Sequence, residues 1–325
     1  MKSPVLFIVF NRPDTTYNVF ETIKTAKPKY LYVAADGPRK NKEGEIEICN
    51  IVRDIATAVD WQCIVKTLFQ DENLGCKIGV STAINWFFEH EEEGIILEDD
   101  CLPVDSFYIY CDELLERYRN DNRIGLISGC NLISKRIIPN ESYFFSKNIN
   151  IWGWASWRRA WRLYDINMHS WPEWRDGKSL KNISDGNMFF VEHWRNMLNN
   201  TYNNNIDTWD YQWTYSCWKN EMLCILPLIN QIKNIGFLEN AVHTTYETPN
   251  YVNESVPEIL TFPLLHPKRI LRNIQADILI DKRVVGLTTI NYVRGLTTIN
   301  YVRRYIKLFR KLHQFIHYVV NKIEK

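Results

Sequence analysis

Four short and nearly unbroken apolar runs, at residues 5–10, 30–34, 63–69 and 94–97, alternate with three stretches of helical periodicity at 14–26, 44–59 and 77–90. No other feature narrows the fold so far. Apolar runs this short, without polar alternation, suit strands buried on both faces. Strand–helix alternation demands crossover connections and a mainly parallel sheet. Asp14 is placed to cap the first helix, and Asp105 or Ser106 a later helix that ends near Arg119. In sheets of this kind ligands bind outside the carboxyl ends of the strands. That rule selects Asn11-Arg12, Ala35-Asp36-Gly37 and Glu98-Asp99-Asp100.

Three neighbouring carboxylates repel one another, and a bound divalent cation relieves the repulsion. Carboxylate oxygens completed by water and phosphate suit Mg²⁺ or Mn²⁺, and such an ion could neutralise a departing diphosphate. A solvated acidic turn is the plainer alternative.

Together these segments resemble a known family. Ile96-Leu97-Glu98-Asp99-Asp100 looks like the DXD-type metal motif of GT-A-fold glycosyltransferases, especially the N-acetylglucosaminyltransferase I family. Pro4 through Arg12 resembles that family's first strand and nucleotide-contacting arginine. Bacterial nucleotide-diphospho-sugar transferases, some called hemolytic-protein-like, are similar over residues 3–248. The shared stretches are Ala35-Asp36-Gly37-Pro38-Arg39, Asn73-Leu74-Gly75, Trp152-Gly153-Trp154-Ala155-Ser156-Trp157 and Asn234-Ile235-Gly236-Phe237. The resemblance implies an α/β fold of GT-A type, a Rossmann-like mixed sheet in one catalytic domain. It implies an inverting hexosyltransferase that uses a nucleotide-diphosphate donor, a UDP-sugar, in bacterial polysaccharide biosynthesis. Arg12 and Asp36 would contact the nucleoside, and Asn73 and Lys77 would lie near nucleotide or phosphate. Asp100, with Asp99 beside it, would bind Mn²⁺ (or Mg²⁺); Glu98 and Asp99 would serve the ribose or the ion's outer shell. Asp36 could equally form an Asx turn before Gly37-Pro38, and Arg12 could be a surface arginine.

An inverting transfer needs a carboxylate that takes the acceptor hydroxyl's proton. The resembled family keeps its aspartate in a WDxW-like setting, which here is Asp207-Thr208-Trp209-Asp210-Tyr211-Gln212-Trp213. Asp210 matches best and Asp207 competes, while Asp210 could instead cap the following helix. His243 would be a late metal or phosphate ligand, or an ordinary structural histidine. Ten of the twelve tryptophans fall between Trp152 and Trp218. Aromatic faces pack on sugar C–H groups, so Trp152 and Trp154, around Gly153, are expected in a loop lining the acceptor or sugar pocket. Trp157 and Trp161 fit a buried stripe.

The chain has 325 residues, enough for one large or two ordinary domains. No Pro/Gly/Ser-rich linker divides it, so residues 1–267 are expected to form one catalytic domain. Residues 1–123 would be its nucleotide-binding half and 124–267 its acceptor-side half. A net charge of +1 conceals an uneven distribution, because residues 268–325 hold 13 Lys and Arg against 3 Asp and Glu. Apolar residues three and four apart over 303–323, with cations opposite, predict a basic amphipathic helix suited to an anionic membrane surface. A terminal helix packed on the domain is the alternative. No run is long enough to span a bilayer, and none of the eight cysteines forms a CxxC pair. The expectation is therefore a cytoplasmic protein with reduced thiols, peripheral on the inner face of the cytoplasmic membrane. Its partners would be a nucleotide-sugar donor and a glycan or lipid-linked acceptor, with no nucleic acid. Residues 286–294 (GLTTINYVR) recur letter for letter at 295–303, the mark of a short duplication in a tolerant surface segment. Two other functions stay open. A nucleotidyltransferase would carry a Gly-rich basic segment where this chain has Asn11-Arg12-Pro13-Asp14; a non-catalytic carbohydrate-binding module would account for the tryptophans.

Overall fold

The computed structural model describes residues 1–136, 140–237, 250–283 and 285–286. Strands β1 (Val5–Val9), β2 (Tyr30–Ala35), β3 (Ile64–Phe69) and β4 (Glu93–Glu98) alternate with helices α1 (Pro13–Ala26), α2 (Glu45–Thr57) and α3 (Gly75–His90), as the periodicity predicts. These strands lie parallel in the order β3-β2-β1-β4. A short β5 (Cys101–Pro103) and α4 (Ser106–Tyr118) lead into β6 (Ile124–Ser128), β7 (Tyr143–Ser146) and β8 (Trp154–Trp157). Five helices follow: α5 (Arg158–Trp161), α6 (Trp171–Asp176), α7 (Ser179–Ile183), α8 (Met188–Tyr202) and α9 (Asp210–Lys219). The described chain then runs through β9 (Leu223–Pro227), β10 (Ile232–Asn234), α10 (Asn250–Glu254) and α11 (Ile274–Arg283).

The second half continues the same sheet, as β8-β6-β9-β7 beyond β4, which makes one mixed eight-stranded α/β sheet. β8 is inverted between β4 and β6, and β7 is inverted at the far edge. β10 pairs antiparallel with β5 in a separate two-stranded ribbon.

Burial explains the apolar runs. Along β1, Val5, Phe7 and Val9 face one core, with Val19 and Phe20 of α1 and Leu114 of α4. Leu6, between them, faces the opposite core, with Ile84 and Phe87 of α3. Both faces are covered, so no polar residue is tolerated. β3 departs from the expected burial on both faces. It is the edge strand, and Ile64 and Phe69 are exposed there, because a helix layer covers an outer strand only partly.

The capping expectations are corrected as well. Arg12 occupies the cap of α1, with Pro13 pre-set at the first helical position and Asp14 within the first turn. Ser106 sends its hydroxyl to Gln231 Oε1 at 2.6 Å, and the capping residue of α4, Asp105, makes no side-chain cap bond.

The tryptophan segment is largely core. Trp157 and Trp161 are buried, as expected, but so is Trp154. All eight cysteines are free thiols. No helix among the described residues is long and apolar enough to cross a membrane. His243, residues 303–323 and all but Gly286 of the nine-residue repeat lie outside the described residues.

Candidate functional site

The ends of β1, β2 and β4 and the start of α3 surround a cleft of about 400 Å³. Its floor is apolar, built by Ile8, Ala34, Leu68, Val80 and Ala83, and its rim is polar. This is the place the strand-end rule selects, and it gathers Arg12, Asp36, Asn73, Glu98, Asp99, Asp100, Trp152 and Asp207.

Asp99 and Asp100 sit in the tight link between β4 and β5. The residue after β10 clamps that link, with Ile235 N donating to Asp100 O at 2.8 Å. Asp99 is only 3% exposed, whereas Asp100 opens to the cleft. Arg12 reaches both: Nη1 donates to Asp100 Oδ2 at 3.1 Å, and Nη2 to Asp99 Oδ1. The other Asp99 oxygen, Oδ2, is buried without a hydrogen-bond partner. Burial raises the proton affinity of Glu98, and Asp100 and Asp99 raise it further. Burial also raises that of Asp99, against the pull of Arg12. Gly236 lies directly over the pair. A Cβ there would stand 2.4 Å from Asp100 Oδ2 and 2.9 Å from Arg12 Nη1, so a side chain would displace the Arg12–Asp100 contact.

Among the described residues, no group of three or more His, Cys, Asp or Glu side chains could hold a metal ion unaided. The corner suits an ion that takes one or two protein carboxylates and completes its shell from phosphate oxygens and water, as Mg²⁺ and Mn²⁺ do. The unpartnered Asp99 oxygen, and two carboxylates sharing one guanidinium with Glu98 beside them, fit that kind of ion.

At the other end of the cleft, Asp36 ties β2 to the segment before α3. Its Oδ1 accepts from Gly37 N and Leu74 N, both at 2.8 Å, and its Oδ2 from Asn73 Nδ2 at 2.9 Å and Gly75 N at 3.2 Å. Burial raises the Asp36 proton affinity, and the backbone donors oppose it. Sequence reasoning missed Arg39, which lines the same wall. Its Nε bonds both carboxylate oxygens of Glu45, at 3.1 and 3.0 Å, and its guanidinium lies 5.5 Å from the Phe10 ring centroid. Glu45 is 1% exposed, also accepts from Asn11 Nδ2 at 2.8 Å, and is held down to about 2, chiefly by Arg39. The only signal in the sequence was the place of Arg39 directly after Asp36-Gly37-Pro38.

The start of α3 is arranged differently from expectation. The backbone N–H groups of Cys76 and Lys77 both point at Asp207, to Oδ2 and Oδ1, each at 3.3 Å. A carboxylate of the chain itself thus occupies the spot where helix N–H groups favour an anion. The Lys77 amine turns away to Asn204 Oδ1 at 2.7 Å and is not part of the cleft wall. Of the two base candidates, Asp207 is on that wall. Asp210 stands behind it as the first residue of α9, accepting from Tyr211 N at 2.9 Å and from Thr208 Oγ1. It is near enough to raise the proton affinity of Glu98 and Cys76.

Trp152 meets Phe237 edge-on, with centroids 5.7 Å apart, and both line the cleft. Gly153 takes φ 57°, and a Cβ there would stand 2.5 Å from Ile232 Cδ1, so it lets the chain turn tightly between Trp152 and β8. Trp154 is not a pocket residue. It opens β8 fully buried, stacked on Trp209 with centroids 5.8 Å apart, because the first residue past the turn already pairs with β4.

No protein-family model matches the chain, and no curated protein matches it either. Solved structures do resemble it. HddC from Yersinia pseudotuberculosis is 10% identical over 48% of this chain and 77% of that one, with a TM-score of 0.30. An apo UDP-glucose pyrophosphorylase is 9% identical over 72% and 93%, with a TM-score of 0.36. Apo mouse xyloside xylosyltransferase 1 is 10% identical over 68% and 84%, with a TM-score of 0.34. At such scores the likeness is one of general arrangement, and it carries no argument about chemistry.

Proposed function

We propose that this chain is an inverting, metal-dependent glycosyltransferase of GT-A type that takes a UDP-sugar as donor. The observation that carries the reading is the cleft itself. One end offers a hydrogen-bonded Asp36–Asn73 wall above apolar floor residues, and the other offers Asp99, Asp100 and Arg12. A nucleoside suits the first end and a diphosphate the second. In this reading Asp100 holds Mn²⁺ or Mg²⁺ with Asp99 behind it, and the ion supplies charge neutralisation for the leaving diphosphate. Arg12 steers phosphate oxygens, and Arg39, held in place by the buried Glu45, stands on the nucleoside wall. Trp152 and Phe237 offer aromatic surface for the transferred sugar or the acceptor glycan. Asp207, which faces the cleft and is oriented by two backbone donors, takes the acceptor hydroxyl's proton. The acceptor oxygen bonds to the anomeric carbon as the bond from that carbon to the diphosphate breaks. A lipid-linked glycan is the acceptor, and the basic 303–323 segment brings the enzyme to the inner face of the cytoplasmic membrane.

The nucleotidyltransferase reading is disfavoured because Asn11-Arg12-Pro13 passes straight from β1 into α1 with no glycine-rich turn. A panel of nucleotide sugars, screened for Mn²⁺-dependent thermal stabilisation and for release of free nucleoside diphosphate, separates the two. A donor should raise the wild-type melting temperature and be turned over, and Asp100→Ala should do neither. Pyrophosphate release from a nucleoside triphosphate and a sugar 1-phosphate would replace this reading with the other.

A further inference from the structure

Resting on the donor-site reading above, we infer that Arg12 is the resident counter-ion of the acidic corner and competes with the divalent cation for Asp100. The guanidinium spans the two carboxylates, with Nη2 on the buried Asp99 and Nη1 at 3.1 Å from Asp100 Oδ2. The two anchors are unequal. The Asp99 side chain is 4% exposed and fixed beside the unpartnered Oδ2; the Asp100 side chain is 19% exposed and lines the cleft. Ile235 N donates to the Asp100 carbonyl and holds its backbone at the cleft, and Gly236 lies beside both partners of the Arg12–Asp100 contact, where an added Cβ would stand 2.4 Å from Asp100 Oδ2 and 2.9 Å from Arg12 Nη1. A divalent ion on Asp100 Oδ2 would lie beside the guanidinium, and like charges at that range repel strongly in a partly buried site.

A diphosphate resolves the conflict. Its oxygens are better partners for Nη1 than a carboxylate shared with the ion, because they carry more charge. Arg12, still held by Asp99, can pass Nη1 from Asp100 to a phosphate oxygen, which frees Asp100 for the ion. Asp99 therefore acts as a positioning residue for Arg12, and Asp100 as the carboxylate that changes partner. Ion and nucleotide then bind far better together than either does alone, and the coupling is reciprocal.

Titration calorimetry with Mn²⁺ alone, UDP alone and the two together tests this on the full chain and on Arg12→Gln. In the wild type, Mn²⁺ alone should bind weakly and UDP should strengthen it. Arg12→Gln should bind Mn²⁺ alone about tenfold tighter or more than the wild type does, because the competing charge is gone. UDP should still improve Mn²⁺ binding to that variant through its phosphate oxygens, but by a smaller factor than in the wild type. Arg12→Lys, which keeps the charge but cannot span both carboxylates, should fall between them, and it serves as the test variant if Arg12→Gln does not fold. If wild type binds Mn²⁺ and UDP together while the variants bind Mn²⁺ no tighter, the competition is refuted and the donor-site reading stands. If wild type binds no nucleotide with or without Mn²⁺, the donor-site reading itself fails.

Discussion

Two tryptophans one glycine apart illustrate how much a single turn decides. Trp152 precedes Gly153 and stays on the cleft rim against Phe237, while Trp154 follows it and is sealed between helices and sheet. Trp154→Ala should therefore cost about 3–5 kcal/mol of stability, as expected for an emptied core site. Trp152→Ala should cost much less stability in the same denaturant melts. It should instead weaken donor or acceptor binding by about tenfold, the scale of one lost aromatic contact. Equal stability losses for the two would overturn the division between rim and core. The sequence marks both residues as aromatic but cannot say which side of the glycine faces a ligand, because that depends on the pairing of β8 with β4. The acidic corner was legible for the opposite reason: a strand that ends in three carboxylates has few uses. Arg39 was not legible, since its role depends on Glu45, which only the folded chain brings beneath it. Asp207 and Lys77 show the same limit. The contact between the loop before α9 and the first turn of α3 spans 130 residues and leaves no local pattern.

Elements with strong periodicity, β1, β2, β4 and α1 to α4, fall where the sequence puts them, because each is defined by its own apolar stripe. Those that depend on neighbours do not show themselves, and α11 is the clearest case. It closes over the edge of β7 by inserting charges: Asp277 accepts from Ser146 Oγ at 2.5 Å and Arg272 Nε at 3.1 Å, and Lys147 Nζ lies 3.0 Å from Asp281 and 3.2 Å from Asp185. Lys147 also sits 4.0 Å from the Phe190 ring centroid. Burial pushes the Asp277 carboxyl up to about 6 from an ordinary 3.8, with Ser146, Arg272 and Lys147 pulling the other way. The folded protein thus binds this proton more tightly than the unfolded chain. The resulting stabilisation is complete below about pH 4 and is lost as the pH rises through about 6. Asp277→Asn removes the titration and nearly keeps the shape. Between pH 7 and pH 4 the wild type should gain on that variant by about 2–3 kcal/mol, measured by urea unfolding at each pH. A stability difference independent of pH would show that Asp277 is ionised throughout.

On the scale of the whole molecule, charge and sheet direction are both divided. β8 enters inverted between β4 and β6, so the parallel run that begins at β3 stops beside the acidic corner, where an open end of the sheet becomes a cleft. The chain's surplus of cations lies at the opposite end of the sequence, beyond residue 267, and leaves the preceding residues acidic. An acidic body is repelled by an anionic bilayer, so on the proposed reading the basic 303–323 segment would hold the chain there without pressing the cleft into the lipid. The attraction should require both the apolar stripe and the cations of 303–323 and should fall as salt rises, since phosphate–cation contacts are screened over about 8 Å at physiological ionic strength. Sedimentation with vesicles containing phosphatidylglycerol should carry down the full chain at low salt, and largely release it at about 0.5 M salt, where that screening distance roughly halves. Vesicles of phosphatidylcholine alone should carry down much less. A chain ending at residue 302 should stay in solution in every case, yet hydrolyse the same donor at the same rate in the absence of lipid. If the truncated and full chains sediment alike, the membrane is reached by some other surface, and the tail instead belongs to the packing of the domain.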